Sequence, residues 1–258
     1  MQPFRSKAIL VFSFSLLTCA VSAQKDTAKG NNGVYLGVSG GLSMSPREVF
    51  NKSFNAVWMD YLKPGYCIST FAQGPLLHSH FGLTGLFTLY GNAFDMNKYV
   101  NYLPTSTAYY NNSVKTDQTG YGSFGQFTGQ LGGYAQLQCH KFKFELRLLG
   151  GIELLTLPNA AIDVVVPPPM QSSFTETFIY KTSTGLCADG GLMAWYTVCP
   201  KIEILFSIDA LLATAPYTDT DYKQFNYFGG LTRDAVYNYT AQVFTLNMAL
   251  GTCYKLGK

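Results

Sequence analysis

The stretch KFKFELRLLGGIELL, residues 141–155, carries a charge at nearly every second position of an otherwise apolar segment. A helix turns about 100° per residue, so it would scatter Phe142, Phe144, Leu146 and Leu148 around its circumference instead of gathering them into one stripe. Gly150 and Gly151 would each cost a helix interior about 1 kcal/mol relative to alanine. An extended strand suits both features. It puts Phe142, Phe144, Leu146, Leu148, Ile152 and Leu154 on one face and Lys141, Lys143, Glu145, Arg147 and Glu153 on the other.

Eight segments share this alternation: residues 33–43, 65–73, 77–91, 124–138, 141–155, 183–198, 201–213 and 241–256. In KIEILFSIDALL, Ile202, Ile204, Phe206, Ile208 and Ala210 alternate with Lys201, Glu203, Leu205, Ser207 and Asp209. In the segment 65–73 two phases remain open, Tyr66 with Ile68 or Cys67 with Ser69 and Phe71. Each segment reaches the roughly 9 to 11 residues that a tilted strand needs to cross a bilayer. Their connections alternate in length: tight turns at Gly74-Pro75, Cys139-His140 and Cys199-Pro200, long loops over 44–64, 92–123, 156–182 and 214–240. Short turns at one end and long loops at the other mark an up-and-down transmembrane barrel. The fold expected is all-β, an eight-stranded antiparallel transmembrane β-barrel with both termini on the short-turn side. A soluble barrel with a greasy interior would need charged residues across every outer face, whereas most polar faces here carry Gly, Thr, Ser and Gln.

The rest of the chain agrees. A charged fraction of 13% beside 15% aromatics excludes a disordered chain and is low for a water-soluble domain of 258 residues. MQPFRSK, then AILVFSFSLL, then VSA has the layout of a secretory signal peptide cleaved after Ala23. Its apolar run is too short to span a bilayer as a helix. The expected organisation is a signal peptide over 1–23, a short periplasmic leader over 24–32 and the barrel over 33–258. Loss of Arg5 and Lys7 with the signal lowers the formal charge from +3 to +1, which leaves no basic stripe for nucleic acid. Cys67, Cys139, Cys187, Cys199 and Cys253 form no CxxC pair and indicate no zinc site; one oxidised pair, such as Cys139 with Cys199, is the most an exported chain would make of them.

The signal peptide, the eight alternating strands and the terminal FTLNMALGTCYKLGK together resemble the small outer-membrane barrels of the OmpX and OmpA-transmembrane type, particularly the OmpA-like and PorT-like barrels of Gram-negative Bacteroidota. The resemblance implies an outer-membrane location, contact with outer-membrane lipid and, through the PorT-like members, a role as an accessory component of secretion. Such barrels often end on an aromatic residue; this chain runs on past Tyr254 to Lys258.

Two groups of residues offer chemistry. Lys143, Glu145, Arg147, Glu153, Asp189, Glu203 and Asp209 share the inward phase and form a lumen charge cluster. An eight-stranded barrel is only just wide enough for its own side chains, so these charges serve either as a paired, sealed plug or as a constriction for ions. The long loops hold Tyr99, Tyr109, Tyr110, Tyr222, Phe225, Tyr227 and Tyr237 among Asn, Ser and Gly, a composition suited to recognition of an extracellular ligand or protein. Asp219 and Asp221 make a weak calcium motif. His78-Ser79-His80 has no neighbouring acid for catalysis and no third ligand for a metal. The sequence therefore predicts a non-enzymatic, monomeric scaffold without cofactor that displays its loops for surface recognition or envelope integrity, with a narrow channel as the alternative.

Overall fold

The computed structural model describes residues 33–45, 62–76, 80–95, 97–98, 101, 113–116, 124–157, 160–165, 173–179, 182–226 and 231–256. The expected signal peptide and leader lie outside them. Eleven strands are described, β1 (Val34–Met44), β2 (Gly65–Pro75), β3 (Phe81–Asn92), β4 (Ser113–Thr116), β5 (Phe124–Cys139), β6 (Phe142–Thr156), β7 (Ala160–Val165), β8 (Ser173–Ile179), β9 (Ser183–Cys199), β10 (Ile202–Asn226) and β11 (Leu231–Leu256). Eight of them close a barrel in the order β11-β1-β2-β3-β5-β6-β9-β10, sealed by the pairing of β10 with β11. Every neighbouring pair is antiparallel. Closure matters because an open edge would leave unpaired N–H and C=O groups in hydrocarbon.

The barrel is apolar outside and polar inside. Along β6, Phe142, Phe144, Leu146, Leu148 and Ile152 are exposed while Lys143, Glu145, Arg147 and Glu153 are buried. The pattern repeats round the barrel, with Leu186, Leu137, Leu148 and Leu250 each about two-thirds exposed or more, at 72%, 71%, 68% and 66%. A water-soluble monomer rarely exposes more than a few hundred Å² of continuous apolar surface. Here the surface runs round the whole barrel, so it faces lipid, and the fold is a transmembrane β-barrel. At the turn end Phe81, Phe142, Tyr196 and Tyr254 point outward, and the rings of Phe142 and Tyr196 pack at 5.2 Å. Aromatic residues at that level form the girdle expected at a membrane interface.

One open reading is resolved and two expectations change. The open phase of β2 resolves with Cys67, Phe71 and Gln73 buried and Tyr66 and Ile68 exposed. The first turn is not at Gly74-Pro75: β2 runs through both, pairing Pro75 with Gly82, and Leu76 N–H donates to Phe81 C=O at 2.8 Å to close the connection. Pro75 is tolerated because it is the last residue of the strand, beyond the β1 pairing that ends at Gln73, where a missing N–H breaks no inner ladder. β3 accordingly starts at Phe81 rather than at residue 77.

The largest correction concerns the long connections. The span 214–240 is mostly strand, because β10 and β11 continue as one hairpin far past the barrel, pairing Tyr217 with Tyr239 and Phe225 with Leu231. β8 pairs with β10 over Asp221–Asn226, β7 with β8, and β4 with β7, so the hairpin widens into a second sheet ordered β11-β10-β8-β7-β4. Residues 215–226 of β10 run on for about 40 Å at a strand's rise of about 3.3 Å per residue. Beyond the lipid-facing band a strand no longer has lipid on one face and lumen on the other, so extension there needs no apolar and polar alternation; Thr and Tyr favour it by their strand preference.

Candidate functional site

All seven residues of the predicted lumen cluster are inward and buried, between 0% and 8% exposed. Two pairs form among them. Lys143 Nζ donates to Glu203 Oε1 at 2.6 Å and to the hydroxyl of Tyr35 at 2.8 Å. Thr197 Oγ1 donates to the same Glu203 oxygen at 3.2 Å. Arg147 grips Asp209 Oδ1 through Nε at 3.0 Å and through its terminal nitrogen at 2.7 Å.

Both pairs bridge from β6 to β10 over the intervening β9. Arg147 stands opposite Gly191 of β9, and Gly191 stands opposite Asp209 of β10, so the ion pair passes directly over the glycine. A Cβ built on Gly191 would lie 1.9 Å from Asp209 Oδ1 and 3.2 Å from Arg147 Nε. Only a residue without a side chain leaves that passage. Lys143 stands opposite Trp195 and Glu203 opposite Thr197, so the second pair crosses β9 nearer the turn end.

Two of the three remaining acids are held by amides. Gln73 Nε2 donates to Glu145 at 3.0 Å, and Gln126 Nε2 to Glu153 at 2.6 Å. Glu145 Oε1, Glu153 Oε1, Glu203 Oε2 and both oxygens of Asp189 have no hydrogen-bond partner. The charge of Arg147 acts on Asp189 across the lumen. The charged lumen thus holds five acids against two cations.

Apolar plugs separate the polar layers. Tyr35, Phe71, Leu86, Leu149, Met193, Trp195, Leu205 and Cys253 pack into one cluster, with Trp195 meeting Phe71 edge-on at 5.7 Å and Tyr35 at 5.9 Å. A second cluster gathers Phe124, Leu155, Leu211 and Val243 toward the loop end. Trp195 and Gly191 were not singled out in the sequence, although both share the parity of Asp189 that places a β9 residue inside.

Of the aromatic loop residues, Tyr99, Tyr109, Tyr110 and Tyr227 lie outside the described residues. Tyr222 and Phe225 belong to β10 and Tyr237 to β11, so they sit on a strand hairpin and not in a loop. His78 and Ser79 lie outside the described residues, and His80 is an exposed turn residue. Cys67, Cys187, Cys199 and Cys253 are free thiols, which corrects the notion of a Cys139–Cys199 pair. Among the described residues no group of His, Cys, Asp and Glu is arranged to hold a metal ion.

No known protein family matches the sequence, and no curated protein does either. Among solved structures the chain is similar to Neisserial surface protein A, at 13% identity over 88% of this chain and 98% of that one with a TM-score of 0.41. It is similar to a major outer membrane protein of Thermus thermophilus, at 10% identity over 87% and 99% with a TM-score of 0.40. A third similarity is to Ail of Yersinia pestis, solved with the heparin analogue sucrose octasulfate, at 11% identity over 87% and 97% with a TM-score of 0.36. The barrel of the present chain is defined by its own strand pairing.

Proposed function

We propose that the chain is a non-enzymatic barrel of a Gram-negative outer membrane, whose sealed lumen anchors a protruding β-sheet as an extracellular recognition surface. The observation that carries this is the continuation of β10 and β11 beyond the lipid-facing band and their widening by β8, β7 and β4. A rigid sheet holds binding groups at lower ordering cost than a free loop does. The tight turns at the opposite end, including Pro200-Lys201 between β9 and β10, fit a periplasmic side. The filled lumen supports a mechanical role for the charges, with Trp195 and Leu205 at 2% and 1% exposure. In this proposal the protein is a monomer that takes no cofactor and contacts outer-membrane lipid, a cleaved signal peptide directs its export, and residues 33–258 form the barrel together with the sheet that protrudes from it.

An epitope inserted between Gly229 and Gly230, in the connection from β10 to β11, tests the orientation. Antibody should label intact cells; labelling only after permeabilisation would refute it. The acid excess favours a second reading, a narrow cation path. Planar-bilayer recording of the folded barrel separates the two: silence supports the scaffold, and steady cation-selective conductance abolished by Asp189→Asn supports the channel.

A further inference from the structure

Asp189 is the lumen acid that neither the ion pairs nor the amides satisfy. It is 4% exposed, and neither of its oxygens has a hydrogen-bond partner. Its register explains why: it stands between Leu149 of β6 and Leu211 of β10, and neither side chain can donate. Leu149 belongs to the cluster around Trp195 and Leu211 to the cluster toward the loop end, so the carboxylate lies where the two apolar plugs meet. The charges of Asp209 and Arg147 both act on it, but the direct contacts of Arg147, at 2.7 and 3.0 Å, go to Asp209. A carboxylate buried without a partner is costly and calls for a counter-charge.

The free atoms in the neighbouring rows are acceptors too. One row toward the loop end, Gln130 of β5 reaches over Gly151 of β6 to bring its Nε2 within 3.6 Å of Cys187 Sγ, and Cys187 is the inward residue of β9 next to Asp189. That contact uses the amide nitrogen and leaves Gln130 Oε1 buried without a partner. One row toward the turn end, Asn247 stands opposite Asp209, donates from Nδ2 to Thr245 Oγ1 at 3.4 Å and likewise leaves its Oδ1 unpartnered. A proton would bridge at most two of these oxygens. A hard cation takes several at once.

We propose that Asp189 holds a monovalent alkali cation, sodium, inside the lumen, with Gln130 Oε1 and Asn247 Oδ1 as further protein ligands. One carboxylate with amide oxygens matches a single positive charge. Calcium sites gather several carboxylates, and among the described residues no group of His, Cys, Asp and Glu is arranged in that way. The ion is a counter-charge at the junction of the two plugs, in a sealed lumen and in a conducting one alike.

The test is reversible urea unfolding of the full chain in lipid vesicles, in sodium chloride against N-methyl-D-glucamine chloride at equal ionic strength. The organic cation is too large for a lumen filled by its own side chains. Unfolding opens the lumen, so the equilibrium registers the ion however slowly the folded barrel exchanges it. An ion bound only by the folded state raises the folding constant, and a rise of at least about tenfold is expected when sodium replaces the organic cation. Asp189→Asn keeps the shape, removes the charge and should abolish the rise. Glu145→Gln removes another buried acid, one already held by Gln73 at 3.0 Å, and should retain it. A gel-mobility difference between boiled and unboiled samples confirms that each variant is folded. A wild-type folding constant indifferent to the cation, the same rise in folded Asp189→Asn, or loss of the rise in Glu145→Gln would overturn the proposal. Crystals of the wild type grown with thallium(I) in place of sodium need no variant: an anomalous peak is expected beside Asp189, and its absence would equally overturn the assignment.

Discussion

Replacing Gly191 by alanine should destabilise the barrel although alanine is ordinarily the better strand residue. Glycine in a strand interior is worth roughly 0.5–1 kcal/mol less than alanine on entropic grounds. At this position the new methyl would lie 1.9 Å from Asp209 Oδ1, so the carboxylate must swing away. The backbone need not move, because the obstructing atom is the tip of a side chain. The swing gives up the 2.7 and 3.0 Å contacts that Arg147 makes, leaving a guanidinium only 3% exposed without its partner. Charge-assisted hydrogen bonds contribute about 1.5–3 kcal/mol, and removing one member of a buried pair outright costs about 3–5 kcal/mol. Gly191→Ala should therefore cost about 2 kcal/mol, below full removal because Asp209 keeps its charge nearby. Reversible urea unfolding in lipid vesicles measures it. In an Arg147→Met, Asp209→Ala background the same substitution should be neutral or stabilising, and the difference is the coupling energy. An equal cost in both backgrounds would show that the glycine serves the backbone alone.

Leu148→Arg should cost about 2–4 kcal/mol in the same assay, since Leu148 is 68% exposed at the middle of β6 and faces the bilayer midplane; an effect under about 0.5 kcal/mol, typical of an exposed site in water, would refute the lipid-facing assignment. Trp195→Ala should lose about 3–5 kcal/mol by opening a cavity beside Phe71 and Tyr35, and bilayer recording should then detect intermittent conductance if the aromatic cluster is the seal. Lys143→Met should cost about 3–5 kcal/mol by stranding Glu203, and Lys143→Met with Glu203→Met should recover most of that loss in urea unfolding.

The sequence is most informative where two solvents meet at one strand. A residue in the bilayer region touches either lipid or lumen, so parity alone places Glu145, Arg147, Asp189 and Asp209 inside. Parity cannot say which acid each base meets, because that depends on the tilt of the strands and on register between β6, β9 and β10. Gly191 carries no apolar or polar signal at all, and its importance emerges only once Arg147 and Asp209 are seen on either side of it. Beyond the bilayer the rule lapses: residues 214–240 lose the alternation and look like a loop, yet they pair along most of their length, with register shifts after Tyr217 and Gln224. Loops 92–123 and 156–182 hide β4, β7 and β8 for the same reason.

The lumen charges answer a problem that lipid cannot solve. A one-residue slip of β9 would turn its apolar face inward, and the bilayer would oppose that strongly. A two-residue slip restores the alternation, and lipid, which makes no directional contacts, distinguishes the two registers poorly. The interior does distinguish them. Sliding β9 by two against β6 and β10 would place Asp189 or Met193 where Gly191 now sits, beneath the Arg147–Asp209 pair, and either side chain would block it. The same slip would move Trp195 away from Lys143 and Thr197 away from Glu203. Two ion pairs crossing one strand, one of them over a glycine, therefore fix the register of β6, β9 and β10 together. β10 leads directly into the hairpin that leaves the membrane, so an error there would be carried along the whole of β10 into the protruding sheet.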